Sequence, residues 1–286
     1  MISENAYAKI NLFLKVKDKR ADGFHNIESV MHSLSLCDII FADFFESDSV
    51  NIELVSDSTD IPLDSTNLVY RATKAYLEKF KIVCGVKIKL EKNIPVAAGL
   101  GGGSSDAAAT LRALNKYFNK ATENELYELA ATIGSDVPFS LYGKTALCLG
   151  RGEIIEPLGT AINAHFVVAI GKERVSTPAA FRKIDEKKLR ESGLVSPEID
   201  CKFIVDAIKN GEDFAPFVYN EFEDMTDIKD VSAIKYIMKE NGSSVSLMSG
   251  SGPSVFGVFS SAEDAEDACE VLRLAGFEAY CAISIN

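Results

Sequence analysis

The chain has few of the features that mark membrane, secreted or metal-binding proteins. Its 286 residues include only 8 prolines and 6 cysteines. No apolar run reaches the roughly 18 residues of a membrane-spanning helix, and no basic segment precedes a long apolar stretch at the N-terminus. The cysteines lie far apart, without the spacing of zinc ligands or of a redox pair. We therefore expect buried free thiols in a cytoplasmic protein that does not enter a membrane.

Positive charge is also scarce. The 30 lysines and arginines are outnumbered by 42 aspartates and glutamates, which gives a formal net charge of −12. Such a field repels polyanions, so the charge counts against a nucleic-acid partner. A small anionic ligand remains compatible with it, provided that local backbone amides and a few placed cations hold the ligand.

The composition that remains is that of a globular protein, with 47% hydrophobic and 25% charged residues. At roughly 150 residues per domain, this length predicts about two domains. We place the first domain at residues 1–155 and the second at residues 156–286, where the strand pattern restarts. Because no flexible linker separates them, we expect the two to share an interface.

Hydrophobic periodicity predicts an α+β chain. Alternation over residues 6–16 predicts a half-buried strand that carries Lys9 and Asn11 on its polar face. The other predicted strands are 34–44, 50–54, 86–90, 165–170, 244–249, 254–259 and 277–285. Helices are predicted around 68–76, behind a Thr122 and Glu125 capping box, in three stretches between 178 and 241, and over 262–275.

The strongest local signal is a glycine loop between a strand and a helix. Residues 95–111 read PVAAGLGGGSSDAAATL, with four glycines within five positions. Glycines let the backbone approach a ligand closely, and the free amides of the next helix bind an anion. We predict a phosphate site here, with Ser-Ser-Asp at 104–106 as the helix cap. The spacing fits neither the Walker nor the dinucleotide pattern, and the alternative is a flexible connection.

Four further features have two interpretations each on spacing alone. Lys9 is compatible with a solvated strand edge, and Asp136 with a helix cap. His25 is compatible with an ordinary hydrogen-bonded loop histidine. The turn from Gly250 to Pro253 is compatible with a simple tight hairpin.

Together these segments resemble one family, the GHMP small-molecule kinases. The matching segments, in family order from residue 6 to residue 259, are AYAKINLFLKV, KRADGFHNIESV, TNLVYRA, IPVAAGLGGGSSDAAATL, IGSDVPFSLYG and SLMSGSGPSVFGVF. The segments 8–11 and 20–25 indicate the branch that acts on a cytidylylated methylerythritol. The resemblance implies a two-domain fold, with an N-terminal half like domain 2 of ribosomal protein S5 and a ferredoxin-like C-terminal half.

The resemblance also implies a reaction, transfer of the ATP γ-phosphate to the 2-hydroxyl of the methylerythritol moiety with magnesium on the phosphates. Asp136 would be the catalytic base, and Lys9 would stabilise the charge of that carboxylate and of the transferring phosphoryl group. Ser105 would assist with magnesium. The family positions near the nucleotide are Pro95, Gly99, Gly101, Gly102, Gly103, Ser104, Ser105, Asn67 and Lys92.

For the cytidine end, the family stacks cytosine between two aromatic rings and recognises its edge with a histidine. The corresponding residues are Phe24, Phe181 and His25. Phe24 stands where the family more often has tyrosine, which keeps the stacking face and loses a hydroxyl. The other substrate-side positions are Asn11, Thr177, Gly250 and Gly252. The implied partner is this small molecule, bound by a monomer or a homodimer.

Three other functions stay open at this point. A GHMP kinase for another alcohol, such as homoserine or mevalonate, has no use for the cytosine-recognising turn at 20–25. A ligand-sensing or protein-interaction module on the same fold needs neither Lys9 nor Asp136. An RNA-binding module, suggested by the ribosomal-protein-like half, is disfavoured by the net charge of −12.

Overall fold

The computed structural model of the protein describes residues 1–173, 176–190 and 199–285. The first half contains β1 (Ile2–Lys19), β2 (His25–Phe45), β3 (Asn51–Ser56), α1 (Leu68–Lys79), β4 (Gly85–Glu91), α2 (Gly102–Phe118), α3 (Glu123–Ile133), α4 (Val137–Tyr142), β5 (Thr145–Leu149) and β6 (Ile154–Pro157). The second half contains β7 (His165–Ile170), α5 (Thr177–Arg190), α6 (Lys202–Asn210), β8 (Tyr219–Asn220), α7 (Lys229–Glu240), β9 (Val245–Met248), β10 (Val255–Phe259), α8 (Ala262–Leu274) and β11 (Glu278–Ile283). Residues 191–198, within the region of the three predicted helical stretches, lie outside the described residues.

Two helix starts show how local sequence sets these boundaries. The side chain of Asn67 caps α1 by accepting a hydrogen bond from the Val69 amide at 2.8 Å. At α3 the predicted capping box is confirmed, because Thr122 accepts from the Glu125 amide and Glu125 accepts from the Thr122 amide. Both caps satisfy amides that the helix itself leaves without a partner.

The strands form two sheets. The first sheet has seven strands in the order β3-β4-β2-β1-β8, with β5 paired to β2 and to β6. The second has the order β11-β7-β10-β9, with every neighbouring pair antiparallel. Four strands in this order, with helices after the first and the third, form a ferredoxin-like arrangement. The predicted ferredoxin-like C-terminal half is therefore confirmed.

The two halves of the chain share hydrophobic cores. In one core Leu14 and Met31 of the first sheet pack with Val167 and Met248 of the second. The predicted interface between the halves is thus present. Strand β8 also returns from the second half to pair with β1, and β6 spans residues 155 and 156. The division of the chain at that point stays a prediction.

Strand β1 differs from its prediction as a half-buried strand. Lys9 is only 5% exposed and Asn11 only 1%. The pairing register with β2 shifts between Tyr7 and Lys9 and again between Asn11 and Phe13. Such bulges break the two-residue alternation and turn side chains away from their expected face. The side chains of both polar residues are therefore buried. This excludes the interpretation of Lys9 as a residue of a solvated strand edge.

The structure tests two expectations from the composition, buried free thiols and the lack of a membrane-spanning helix. All six cysteines are free thiols, as predicted, but only Cys148 and Cys269 are buried, and Cys281 is exposed. The prediction of six buried thiols is therefore wrong. No helix in the described part of the chain is long and apolar enough to cross a membrane.

A buried group of three charges joins β2 to the start of α2. The Lys92 ammonium contacts the Asp38 carboxylate and lies 2.8 Å from Oδ2 of Asp106. Asp38 also accepts hydrogen bonds from the amides of Asn93 and Ile94, at 2.6 and 2.7 Å. One cation thus faces two carboxylates, and all three side chains are almost fully buried. The group fixes the turn that leads into the glycine loop.

The surplus carboxylate in this group should make stability depend on pH. Burial, together with the Asp38 carboxylate, raises the pKa of Asp106 from 3.8 to about 8, although Lys92 opposes the shift. Between these two values the folded protein holds a proton that the unfolded chain has released, so the free energy of unfolding should fall as pH rises. Urea unfolding of the parent and of Asp106→Asn across this window checks the expectation. An equally steep fall in Asp106→Asn would contradict it, since that variant has no proton to lose.

Candidate active site

Two cavities meet at the glycine loop. The larger has a volume of about 600 Å³ and lies between the first sheet, α5 and the turn that follows β9. The smaller has a volume of about 380 Å³ and lies between the start of α1 and the start of α2. Gly99 and Gly101 line both cavities. A group bound in one cavity can therefore reach a group bound in the other across these two residues.

The smaller cavity collects most of the residues predicted to bind a nucleotide. Those that line it are Asn67, Lys92, Pro95, Gly99, Gly101, Gly102, Gly103 and Ser104. Ser105 does not line it, because its hydroxyl is buried and donates to the Tyr7 carbonyl at 2.5 Å. Asp106 does line it, although the sequence pattern assigned that residue only to the predicted helix cap. An acidic residue directly before a run of three alanines was the available signal of a buried charge.

The start of α2 has the geometry of an anion site. Gly101 is the residue before the helix, in the left-handed conformation, and no side chain caps the helix amides. The predicted cap is therefore wrong, since Ser104, Ser105 and Asp106 lie inside α2. The amides of the first helical turn have no carbonyl partner within the helix and carry partial positive charge. Uncapped amides at the wall of the smaller cavity are suited to bind phosphate.

Gly99 and Gly101 allow the loop to pack against two other segments. A Cβ on Gly101 would lie 2.8 Å from Cγ of Lys9, and φ of Gly101 is +71°. A Cβ on Gly99 would overlap the carbonyl oxygen of Ser249, and φ is +82°. The Lys9 amide also donates to the Leu100 carbonyl at 2.9 Å. The loop is therefore held between β1 and the turn after β9, which excludes a flexible connection.

The turn after β9 is more than a hairpin. The Ser249 hydroxyl donates to the Gly99 carbonyl at 3.1 Å, and the Ser254 amide donates to the Ala98 carbonyl at 3.2 Å. Gly250 lines the larger cavity, whereas Gly252 lines neither of the two cavities. The turn thus brings the C-terminal half against the glycine loop.

Lys9 and Asp136 come together where the cavities meet. The Lys9 ammonium lies 3.6 Å from Oδ2 of Asp136, with side-chain exposures of 6% and 28%. Asp136 precedes α4, but its side chain makes no capping hydrogen bond. The capping interpretation is therefore excluded, and the carboxylate faces the larger cavity. A partly accessible carboxylate beside a buried cation can accept a proton from a bound hydroxyl group.

Hydrogen bonds hold Lys9 in this position. Its ammonium donates to Oδ1 of Asn11 at 2.8 Å, and the Asn11 amide donates to the Ser29 hydroxyl at 2.8 Å. Ser29 in turn donates to the Phe13 carbonyl at 2.8 Å. Because Asn11 is engaged on both sides, it orients Lys9 from within the sheet.

The far end of the larger cavity is aromatic. It brings together Phe24, His25, Thr177 and Phe181. Phe24 is 50% exposed, and the Arg151 guanidinium lies 5.0 Å from its ring centroid. Phe181 stacks on His25 with ring centroids 4.9 Å apart. The Thr177 hydroxyl lies 2.7 Å from that of Ser251. Two aromatic faces at one end of a cavity are suited to bind a planar base.

Several charged residues of this cavity were not predicted. The cations Lys19, Arg151 and Arg182 line it together with Lys9, and Asp185 lines it near His25. The available signal for Arg151 was its place between two glycines, both with positive φ. These cations agree with the expectation that a few local charges hold an anionic ligand in a protein of negative net charge.

No dedicated metal cage is present among the described residues. No group of three or more histidine, cysteine, aspartate or glutamate side chains there could hold an ion. Magnesium differs from zinc in this respect, because it commonly keeps its waters and is held by substrate phosphates with few protein ligands.

Comparisons with known proteins agree with this geometry. Residues 67–144 match the family of GHMP kinases N terminal domains, and residues 228–277 match GHMP kinases C terminal. The 4-diphosphocytidyl-2-C-methyl-D-erythritol kinase of Caldicellulosiruptor saccharolyticus is 40% identical, with 94% of this chain and 92% of that protein covered. The enzyme of the same name from Bacillus cytotoxicus is 43% identical, with 88% and 86% covered.

A solved structure gives the same result. A crystal structure of 4-(cytidine 5'-diphospho)-2C-methyl-D-erythritol kinase matches with a TM-score of 0.81 and 33% identity. The match covers 100% of both chains. The fold of this chain therefore agrees with that structure over the whole length of both.

The packing of Gly101 on Lys9 can be tested with a matched pair of variants. Gly101 and Gly143 both have φ of +71°, but a Cβ on Gly143 meets no atom closer than 3.8 Å. Alanine should cost about 1–2 kcal/mol of stability at either position, the penalty of the left-handed conformation. Only Gly101→Ala should also lose phosphoryl transfer from ATP, by about a hundredfold, because it displaces Lys9.

Rates of ADP formation and thermal melting of both variants decide the matter. Equal activity in Gly101→Ala and Gly143→Ala, at similar melting temperatures, would show that the loop does not position Lys9.

Proposed function

Because the chain belongs to the GHMP kinases, and within them to the 4-diphosphocytidyl-2-C-methyl-D-erythritol kinases, we propose that it phosphorylates the 2-hydroxyl group of that cytidylylated methylerythritol with ATP. This is a step in the non-mevalonate route to isoprenoid precursors. One observation carries the proposal: two cavities meet at a glycine loop beside Lys9 and Asp136. A kinase of this class needs that arrangement, with the donor on one side and the acceptor on the other.

ATP is the phosphate donor, and the smaller cavity is its site in this proposal. The amides of Gly102 to Ser104 offer hydrogen bonds to the phosphates at the start of α2. Asn67 and Pro95 line the same cavity, where they would contact the adenosine. Lys92 is bound to Asp38 and Asp106, so it shapes the cavity wall rather than offering a free cation.

Asp136 is the base in this proposal. It accepts the proton of the acceptor hydroxyl as the oxygen attacks the γ-phosphorus atom and the bond from that atom to the departing ADP breaks. Lys9 lies beside it and also beside Gly101, where negative charge develops on the transferring group. Since phosphoryl transfer proceeds through a loose transition state, orientation and charge stabilisation contribute more than nucleophile activation.

Magnesium, if bound, would neutralise part of the charge of the ATP phosphates. Ser104 lines the nucleotide side and is the hydroxyl that would contact the ion, whereas the Ser105 hydroxyl is bound to a carbonyl. Asp106 lines the same cavity, but its Oδ2 is bound to Lys92 and burial raises its pKa, both of which weaken it as a metal ligand.

The aromatic end of the larger cavity receives the cytosine in this proposal. Phe24 and Phe181 offer the two stacking faces, and His25 lies beside Phe181. The cations Lys19, Arg151 and Arg182 lie in the same cavity and suit the diphosphate that joins the cytidine to the methylerythritol. An acceptor such as homoserine would leave this end empty. The predicted cytoplasmic location, the lack of a nucleic-acid partner and the monomeric or homodimeric state stay predictions.

A substrate panel tests the proposal directly. The purified protein is incubated with ATP, magnesium and either cytidylylated methylerythritol, mevalonate or homoserine, and ADP release is measured. We expect ADP release with the cytidylylated substrate alone. Release with homoserine or mevalonate and not with the cytidylylated compound would overturn the assignment and leave a GHMP kinase for another alcohol.

Asp136→Asn should lower turnover by roughly two to four orders of magnitude, the usual effect of losing a general base. The KM for ATP should change little, because Asp136 lies on the acceptor side. Asp48→Asn is a matched control, since Asp48 is exposed and lines neither cavity. Steady-state turnover of both variants within about threefold of the parent would show that Asp136 is not the base.

Phe24→Ala should weaken binding of the cytidylylated substrate by about 1–3 kcal/mol, the usual value of stacking a base on an aromatic ring. The melting temperature should change little, because Phe24 is half-exposed and lies outside the core. The KM for ATP should be unaffected. Michaelis constants for both substrates, measured with thermal melting, check this. A joint rise of both constants with a large loss of stability would remove Phe24 from the cytidine site.

A further inference from the structure

The imidazole of His25 lies in a fixed plane at the aromatic end of the larger cavity. His25 is 8% exposed, and its ring plane is tilted by only 15° from that of Phe181. A pyrimidine stacked on Phe181 beside the imidazole would therefore lie close to the imidazole plane. Hydrogen bonds between ring edges need such coplanarity, because the lone pairs and N–H bonds lie in the ring planes.

Asp185 binds one edge of this imidazole. Its Oδ1 lies 2.6 Å from Nε2 of His25, and its Oδ2 accepts from the Lys19 ammonium at 2.9 Å. Partial burial opposes ionisation, but hydrogen bonds from Lys19 and His25 lower the pKa of Asp185 below its ordinary value. An ionised carboxylate only accepts hydrogen bonds. Nε2 of His25 must therefore carry a hydrogen.

The other ring nitrogen then has a defined role. In a neutral imidazole with its hydrogen on Nε2, Nδ1 is a lone-pair acceptor. Within the described residues, the hydrogen bond to Asp185 is the one formed by the His25 ring. An acceptor in the plane of a bound base pairs with the exocyclic amino group of cytosine. Uracil has a carbonyl oxygen at that position, which would face the lone pair and be repelled.

We propose that Asp185 sets the base specificity of this site, because it fixes the proton and the orientation of His25 so that Nδ1 selects cytosine over uracil. This inference rests on the proposed function. Asp185 acts through His25 and Lys19 rather than on the reacting atoms, so it is a positioning residue. Its removal should change the choice of substrate and leave the phosphoryl transfer step intact.

The test compares two substrates that differ only in the base, the cytidine and the uridine diphosphate esters of methylerythritol. We expect the parent to prefer cytidine by roughly a hundredfold in kcat/KM, and Asp185→Ala to lower that preference by about tenfold, as expected when one hydrogen bond no longer discriminates. The kcat with the cytidine substrate and the KM for ATP should stay unchanged. Release of Lys19 in the variant affects both diphosphates alike and cancels in the ratio.

Glu186→Ala is the matched control, because it removes the same charge from the next residue of α5, which is exposed. Its cytidine preference should equal that of the parent. The chain has 3 histidines, so ¹⁵N NMR resolves the His25 ring. We expect hydrogen on Nε2 in the parent.

Three results would overturn the inference: an unchanged base preference in Asp185→Ala, an equal loss in Glu186→Ala, or a His25 ring protonated on Nδ1 at neutral pH. Failure of the proposed function is a separate outcome, because the parent would then phosphorylate neither substrate.

Discussion

The close packing of the glycine loop on Lys9 and on the turn after β9 is the contact on which the rest of the site depends. Gly101 meets Lys9, Gly99 meets Ser249, and no side chain larger than hydrogen fits at either contact. Because these two glycines line both cavities, the two contacts set the separation of donor and acceptor. The contact of Gly99 with Ser249 also joins the halves of the chain, so the site exists only when both halves have folded together.

The charge at the larger cavity differs in sign from the net charge of the protein. The chain carries a net charge of −12, yet four cations line the larger cavity. Behind the loop, Lys92 is enclosed by Asp38 and Asp106, where it stabilises structure and is not free to bind phosphate. Breaking such a buried group by removing one partner typically costs about 3–5 kcal/mol, whereas exposed pairs contribute little. The two kinds of cation therefore serve different purposes.

The two ends of the larger cavity bind their ligands through different interactions. At the reacting end, a buried ammonium is held by a hydrogen bond to Asn11 within the sheet and lies beside a partly exposed carboxylate. At the base end, recognition depends on aromatic faces, one half-exposed and one packed on Phe222 and His25. Rigid positioning favours the chemical step, and accessible aromatic surface favours entry of a large substrate. Separate variants should therefore affect turnover and substrate choice independently.

The sequence by itself determined the elements, the glycine loop and the family, because periodicity, caps and glycine runs are local signals that do not depend on distant contacts. It could not determine that Lys9 and Asn11 are buried, since bulges in β1 shift the side-chain alternation. It also missed Asp106, Arg151 and Asp185, whose roles come from neighbours far away in the chain. Tertiary structure alone decided which acidic residues face Lys92, and which faces His25, because a carboxylate has the chemistry that its partners and its burial impose.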